Sequence, residues 1–259
     1  MLRLWLTFDT GLASAYRVYT MTLARIWTQI IEHYSEPQRH YHTMRHVKEM
    51  LQYVHPFENR LQRKHLIVLA TIFHDVIYDP QKPDNEDKSA EFFQQCMAEL
   101  EEEICDLTND GQQAEQEVWD KFQAAIQHID QCRSEFDANV KMVVDWILQT
   151  KGHLTAVTTT PDMYGDDDLH FFLDMDLGIL GADRTRYMEY AADIRKEYCH
   201  VPDGVFHRRR IEFLERFLER KNVYNTLYFR SLYEAAARSN IDAEIKLLKR
   251  ETNTVTNTE

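Results

Sequence analysis

The sequence predicts an all-α protein that folds as a single compact bundle of many helices. Only 7 glycines and 6 prolines occur among the 259 residues, so residues that interrupt helices are rare. Apolar side chains recur with the spacing of amphipathic helices, whereas the alternation typical of half-buried strands is scarce. Hydrophobic residues make up 44% of the chain, which is enough to fill a sizeable core.

Periodicity and end signals divide the first hundred residues into four helices. Pro37 ends the first helix, because proline cannot continue the backbone hydrogen bonds. The third helix is the most apolar and ends ahead of a turn rich in proline. Asp84 or Asn85 is expected to cap the fourth. The predicted spans are 12–34, 43–54, 61–78 and about 85–100.

The rest of the chain continues the helical pattern around two irregular segments. Residues 101–117 are acidic and rich in glutamine, and we interpret them as a solvated helix end plus a loop, without an assigned role. Residues 154–168 are the clearest loop, and 251–259 are expected to be a disordered tail. No linker is long enough to require two domains. The remaining helices are predicted at 118–130, 137–150, 169–181, 183–198, 207–220 and 224–250.

Charge and cysteine content limit the classes of function. A net charge of −13 argues against duplex nucleic acid as a partner, although local arginine, lysine or metal can still attract a small anion. The four cysteines form no CxxC pair, which argues against a thiolate zinc site and fits a reducing compartment. No stretch is long and apolar enough for a membrane helix. We therefore expect a cytoplasmic protein.

The most informative feature is a His-Asp pair, His74 and Asp75, in an apolar segment that runs from residue 66 to residue 78. Imidazole and carboxylate groups are costly to bury unless a partner compensates them. Ile67 and Ala70 precede His74 on the same helix face, so His74 should point toward the core. A divalent metal would compensate the pair, and a hydrogen-bonded structural pair is the alternative.

A histidine-rich segment precedes this pair and offers a second imidazole. His42 and His46 are spaced i and i+4, so in a helix they share a face. Met50 and Tyr53 continue that face, which indicates that His46 points inward. A surface histidine cluster is the alternative interpretation.

An acidic helix follows the pair and offers another carboxylate. Asp176 lies on an apolar stripe with Leu173 and Leu180, where a carboxylate should be paired or bound to metal. Asp174 falls nearer to His170 and is the less certain candidate. His46, His74, Asp75 and Asp176 together form a nitrogen and oxygen ligand set that suits Mn, Mg, Co, Ni, Fe or Zn.

The order of these residues, H…HD…D, resembles the HD superfamily of metal-dependent phosphohydrolases. The resemblance extends from about Tyr34 to Leu248, and longer segments within it resemble a bacterial subgroup described as predicted metal-dependent HD phosphohydrolases. It implies an HD-domain-like bundle over residues 1–250, with His46, His74, Asp75 and Asp176 as metal ligands. The segments that carry it are RHYHTMRHV, IFHDVIYDP, NEDKSAEFF, LQTKGH, FFLDMDLGILG and IRKEYCHV.

Four further residues are candidates for proton transfer or phosphate binding beside the metal. Glu86 is a possible general base, or else a charge that favours the start of its helix. Lys151 and His153 are candidates to contact a substrate phosphate or to extend the metal site, or they are surface residues at a helix end. Arg195 is a candidate phosphate ligand, because guanidinium groups pair with phosphate oxygens bidentately. Most of the neighbouring arginines are expected to be solvated or to pair with Glu197 and other acids.

The sequence therefore predicts a metal-dependent hydrolase of small phosphate esters, with a nucleotide or another phosphomonoester as substrate. Metal-activated water would attack phosphorus, and Asp75 would bridge two metals if two bind. A nucleotide phosphodiesterase and a non-catalytic module that binds nucleotide or metal are the alternatives. A purely structural helical protein requires that His46, His74 and Asp176 do not converge. The oligomeric state is left open.

Overall fold

A computed structural model describes residues 10–102, 116–131 and 135–256 of the chain. The described residues form α-helices joined by short loops, with one 3-10 helix at Leu177–Gly181 and a single isolated β-bridge between Gly165 and Thr226. The all-α prediction is confirmed. In chain order the helices are α1 (Thr10–Tyr34), α2 (Met44–Leu51), α3 (Lys64–Phe73), α4 (Asn85–Glu102), α5 (Gln116–Gln131), α6 (Phe136–Gln149), α7 (Ala156–Thr159), α8 (Asp168–Asp176), α9 (Arg184–Glu197), α10 (Asp203–Glu219) and α11 (Leu227–Thr256).

Helix α3 is the centre of the bundle. Every residue from Leu66 to Phe73 is buried, so this helix is apolar on all sides, as expected for a helix surrounded by protein. It packs against α2, α4, α5, α6 and α8. Because α2 and α8 are among these neighbours, residues at their ends can meet the end of α3.

Helix α3 ends earlier than the sequence predicts. The expected span was 61–78, but the helix stops at Phe73 and His74 is its C-cap, so the His-Asp pair follows the helix. Distant side chains satisfy the carbonyls at this end: the Tyr34 hydroxyl donates to the Ile72 carbonyl at 3.0 Å. Arg39 donates to the carbonyls of Asp75 and Val76 at 2.7 and 2.8 Å. These bonds take the place of further helical turns.

Other boundaries also differ from the prediction. Helix α2 begins at Met44, with the Thr43 side chain as its N-cap, so His42 precedes the helix and does not share a helical face with His46. The predicted loop 154–168 contains the short helix α7, which a Thr155 and Thr158 capping box starts. The predicted helix 169–181 divides into α8 and the 3-10 helix, and α10 starts at Asp203, ahead of the predicted 207.

The predicted tail 251–259 and the predicted acidic segment 101–117 have different outcomes. Helix α11 continues to Thr256, so residues 251–256 of the predicted disordered tail are helical. Residues 257–259, most of the acidic segment 101–117, and two of the cysteines, Cys105 and Cys132, lie outside the described residues. None of the helices within the described ranges combines the length and the apolar composition needed to cross a membrane.

Gly181 lets α11 approach the 3-10 helix closely. A Cβ atom at this position would lie 2.6 Å from Tyr233 Cβ and 2.8 Å from the Tyr224 hydroxyl oxygen. Overpacking of this kind costs about 1–3 kcal/mol. We therefore expect Gly181→Ala to lower the free energy of unfolding by that amount in chemical denaturation. Gly204→Ala is the control, because a Cβ there meets nothing within 4 Å; equal stability of both variants would contradict this packing.

Candidate metal centre

Three elements bring two imidazoles and a carboxylate to one point. His46 comes from α2, His74 caps α3, and Asp176 ends α8. His46 Nε2 lies 3.0 Å from Asp176 Oδ1 and 3.2 Å from His74 Nε2, and the third distance, from His74 Nε2 to Asp176 Oδ1, is 3.5 Å. These residues, far apart in the sequence, form a buried group that could hold a metal ion.

The spacing of the three donor atoms fits a single ion. Ligand atoms about 2.1 Å from one ion are roughly 3.0 Å apart at neighbouring positions of an octahedron and roughly 3.4 Å apart in a tetrahedron. The observed distances of 3.0, 3.2 and 3.5 Å fall around these values. The residues present therefore fit a divalent cation in both donor type and spacing.

The orientation of His74 also suits a ligand. Its Nδ1 lies 3.0 Å from the Thr71 carbonyl oxygen, which can only accept, so Nδ1 carries the hydrogen and donates. With a cation in place of a proton on Nε2, His74 would direct the Nε2 lone pair at the point where the three donor atoms meet. A metal-binding histidine is commonly fixed in this way by a second hydrogen bond.

Asp75 extends the group toward solvent. Its Oδ2 lies 3.0 Å from His74 Nε2, 3.8 Å from His46 Nε2 and 3.9 Å from His42 Nε2. The side chain is 17% exposed, against 1% for His74. Asp75 is therefore the ligand candidate that faces incoming molecules.

The charges in this group are strongly coupled. Burial alone would lower the pKa of His74, but the negative charges of Asp75 and Asp176 raise that pKa well above its usual value. Burial would raise the pKa of Asp176, yet His74 and the hydrogen bonds from His153 and His46 hold it well below its usual range. Two buried carboxylates thus require positive charge beside them, which either an imidazolium or a cation supplies.

His153 supports Asp176 from the opposite side. His153 Nε2 lies 2.7 Å from Asp176 Oδ2, the carboxylate oxygen that does not face His46. The backbone of His153 is left-handed, with φ of 49°, and Arg220 donates to its carbonyl at 3.0 Å. His153, one of the candidates from the sequence, therefore orients a candidate metal ligand.

We expect His153→Ala to weaken Mn²⁺ binding by roughly 10- to 100-fold, as loss of a group that orients a metal ligand does. Isothermal titration with MnCl₂ would measure it. His170→Ala is the control, because His170 lies on α8 without a contact to the candidate ligands. Unchanged Mn²⁺ affinity in the His153 variant would contradict the role.

Glu197 fixes the chain that leads into α2. Its buried carboxylate accepts hydrogen bonds from the backbone N–H groups of His40, Tyr41 and His42 at 2.8, 2.8 and 2.9 Å. His42 Nδ1 lies 2.7 Å from its other oxygen, and the Tyr78 hydroxyl donates to that oxygen at 3.0 Å. Burial alone would raise the pKa of Glu197, but the charge on His42 and these donors lower it to about 2.

A cleft of about 750 Å³ opens beside the candidate ligands, and Asp75 and Asp176 form part of its wall. Glu86 lines it from the first turn of α4, and burial followed by the charge of Asp75 raises the pKa of Glu86. Lys151 also lines the cleft, with its ammonium group paired with Asp87. Glu86, Lys151 and His153 are thus brought to the cleft as the sequence suggests.

Two other residues that the sequence offers as candidates, Arg195 and Asp174, bind other parts of the chain. Arg195 does not line the cleft: it donates to the carbonyls of Tyr198 and Val201 and pairs with Asp203, so it joins the end of α9 to the start of α10. Asp174 is fully buried and accepts four hydrogen bonds from the backbone and side chains of Asn225 and Thr226. It fixes the start of α11 and does not contact the candidate ligands.

Sequence reasoning did not find the supporting residues Arg39 and Glu197. Glu197 was expected to pair with a neighbouring arginine, but it binds backbone groups about 155 residues away. Arg39 is 5% exposed and binds carbonyls on both sides of the centre. Contacts between residues so far apart in the chain produce no recognisable pattern in the neighbouring sequence. The one available signal was that both residues lie within the segments that carry the family resemblance.

Comparisons with protein-family models, curated proteins and solved structures give no match to this chain. The functional interpretation therefore depends on the donor atoms, their spacing and the cleft beside them.

Proposed function

We propose that this protein is a metal-dependent hydrolase of small phosphate esters, with a nucleotide or another phosphomonoester as substrate. One observation carries the proposal: His46, His74 and Asp176 converge at ligand spacing on the wall of an open cleft. A structural centre usually has a closed set of four protein ligands, whereas a catalytic centre keeps a position open. The residue order resembling the HD superfamily supports the same class of enzyme.

The donor set limits the ion and its chemistry. Imidazole nitrogens and carboxylate oxygens without thiolates suit Mn, Mg, Co, Ni, Fe or Zn. Such an ion, when bound, lowers the pKa of water and polarises a phosphoryl oxygen. His46, His74 and Asp176 would hold it, and Asp75 would complete the set on the side of the cleft.

The other residues of the cleft suit proton transfer and substrate positioning. Glu86 is half-buried and carries a raised pKa, and a carboxylate of this kind is suited to accept a proton from attacking water. Lys151 is positioned to exchange its ion pair with Asp87 for a substrate phosphate. His153 holds Asp176 in place during both steps.

The test is phosphate release from a panel of nucleotides and sugar phosphates in the presence of Mn²⁺. We expect release that stops with chelator and falls by roughly 10²-fold or more in Asp75→Asn, because removing one group that acts on the developing charge costs about that much. Asp145→Asn, an exposed aspartate on α6, is the matched control and should keep full activity.

Phosphate release unaffected by chelator and by Asp75→Asn would contradict the proposal. If the protein hydrolyses phosphodiesters but no phosphomonoesters, the nucleotide phosphodiesterase becomes the better assignment. A folded, Mn²⁺-loaded protein that cleaves neither class of ester would favour the binding module.

A further inference from the structure

Helix α10 contributes a row of arginines to the same cleft. Arg209, Arg216 and Arg220 line its wall, and Phe213 lies between the first two. Phe213 and Arg216, four and seven residues after Arg209, share one face of the helix with it, and Arg220 directly follows the last helical residue, Glu219. We call Arg209, Arg216 and Arg220 the arginine row.

Two members of the row carry unneutralised charge. Within the part of the chain that the structure describes, Arg209 has no hydrogen-bond or ion-pair partner, and Arg216 contacts only the ring of Phe213, 6.0 Å from its centroid. Arg210, also at the cleft, is by contrast buried and paired with Glu244 at 2.8 Å. Burial and then the charge of Arg216 lower the pKa of Arg220, as expected for neighbouring cations.

Arg220 joins the arginine row to a residue beside the metal centre. Arg220 donates to the carbonyls of Gly152 and His153 at 2.8 and 3.0 Å, and His153 contacts Asp176. Along a helix, Arg216 is about 6 Å from Arg220, and Arg209 is about 10 Å further on. Positive charge is therefore available at one to three helical turns from Arg220, on the wall of the cleft that also holds Asp176.

The cleft also offers contacts for the part of a ligand between its two ends. Phe213 is 39% exposed and presents an apolar face between Arg209 and Arg216. The hydroxyl of Tyr41, which lines the cleft and is 5% exposed, has no hydrogen-bond partner among the described residues. A buried hydroxyl without a partner is costly, and a polar ligand atom would satisfy it.

We infer that the substrate carries a second phosphate group, which Arg209 and Arg216 bind while the ester phosphate lies at the metal centre. The inference rests on the proposed function and specifies its substrate class: a bisphosphorylated small molecule whose two phosphates are separated by a sugar or ring. The carbon skeleton would pack on Phe213, and the Tyr41 hydroxyl would bind one of its oxygens. Guanidinium groups suit the second phosphate because they bind its oxygens bidentately.

The experiment compares fructose 1,6-bisphosphate with fructose 1-phosphate and fructose 6-phosphate, by calorimetric titration of the Mn²⁺-loaded full-length protein. Initial rates of phosphate release are measured in parallel. We expect the bisphosphate to bind roughly 10- to 100-fold tighter than either monophosphate. The double variant Arg209→Ala, Arg216→Ala should lose this preference and keep its affinity for the monophosphates. Arg208→Ala removes one charge from the same helix without touching the cleft, and it should behave as wild type.

Equal affinity for all three sugars in the wild type, or equal loss of preference in Arg208→Ala, would overturn the inference. The two proposals fail in different ways. If the arginine row is wrong, both monophosphates are still hydrolysed and the double variant leaves the KM for the bisphosphate unchanged. If hydrolysis is wrong, the bisphosphate still binds preferentially and the double variant still abolishes that preference, but no phosphate is released.

Discussion

Replacing His74 by asparagine is expected to abolish both divalent-cation binding and phosphate release. His74 Nε2 lies within 3.5 Å of both His46 Nε2 and Asp176 Oδ1, and the shorter asparagine side chain would not place a donor atom at that position. Residues that act as one unit lose nearly all of their joint effect when one is removed. We therefore expect activity to fall by roughly 10³-fold or more. Mn²⁺-dependent phosphate release is the measurement.

Thermal melting separates loss of the ion from loss of the fold. Mn²⁺ should raise the melting temperature of the wild type, since a ligand that binds only the folded state stabilises it, and should leave that of His74→Asn unchanged. His207→Asn is the control, because His207 is a buried histidine that does not line the cleft. A His74→Asn variant that retains Mn²⁺ stabilisation and activity would contradict the assigned ligand set.

Glu197→Gln should produce the largest loss of stability among single conservative substitutions. Its carboxylate accepts three backbone N–H groups and also contacts His42 and Tyr78. Removing the charge weakens these bonds and turns an amide donor toward groups that donate, so we expect a loss of roughly 2–4 kcal/mol. Urea denaturation at neutral pH would measure it.

The pH dependence of this loss has a defined sign. The folded-state pKa of Glu197 is about 2, below its ordinary value of 4.5, so ionised Glu197 stabilises the folded protein above pH 4.5. That contribution decreases as the pH falls from 4.5 toward 2, and the difference between wild type and Glu197→Gln should shrink over the same range. The titrating or charged groups around it are His42, Tyr78 and Tyr198.

Glu189→Gln is the matched control on the same helix. Glu189 is 48% exposed and pairs with Arg45 at the surface, where an ion pair contributes at most about 1 kcal/mol. Similar losses in both variants, or a Glu197→Gln deficit that stays constant from pH 7 to pH 3, would show that the carboxylate is not the anchor of this segment.

Periodicity predicted the helices well, because burial of one face is encoded within the helix itself. Helices α1, α6 and α9 begin and end within about two residues of their predicted bounds. The end of α3 was not predictable in the same way. Tyr34 binds the Ile72 carbonyl of the helix, and Arg39 binds carbonyls just beyond its end. Both side chains lie more than thirty residues earlier, so the stop signal is tertiary.

The same distinction applies to the candidate site. The convergence of His46, His74 and Asp176 was predictable, because polar groups on apolar helical stripes must find partners in the core. Arg195 was assigned because guanidinium groups pair with phosphate oxygens, but its hydrogen-bond partners are in the segment that follows it. The cleft-facing side of α10 was not identified, because the sequence does not show which of its consecutive arginines, Arg208 to Arg210, faces solvent.

An anomalous difference map from crystals grown with Mn²⁺ would test the metal centre directly. We expect an anomalous peak roughly 2.2 Å from His46 Nε2, His74 Nε2 and Asp176 Oδ1, with a contact to Asp75 on the cleft side. A map in which these three side chains bond only to one another, with Mn²⁺ bound elsewhere or absent, would contradict the metal centre and the hydrolase built on it.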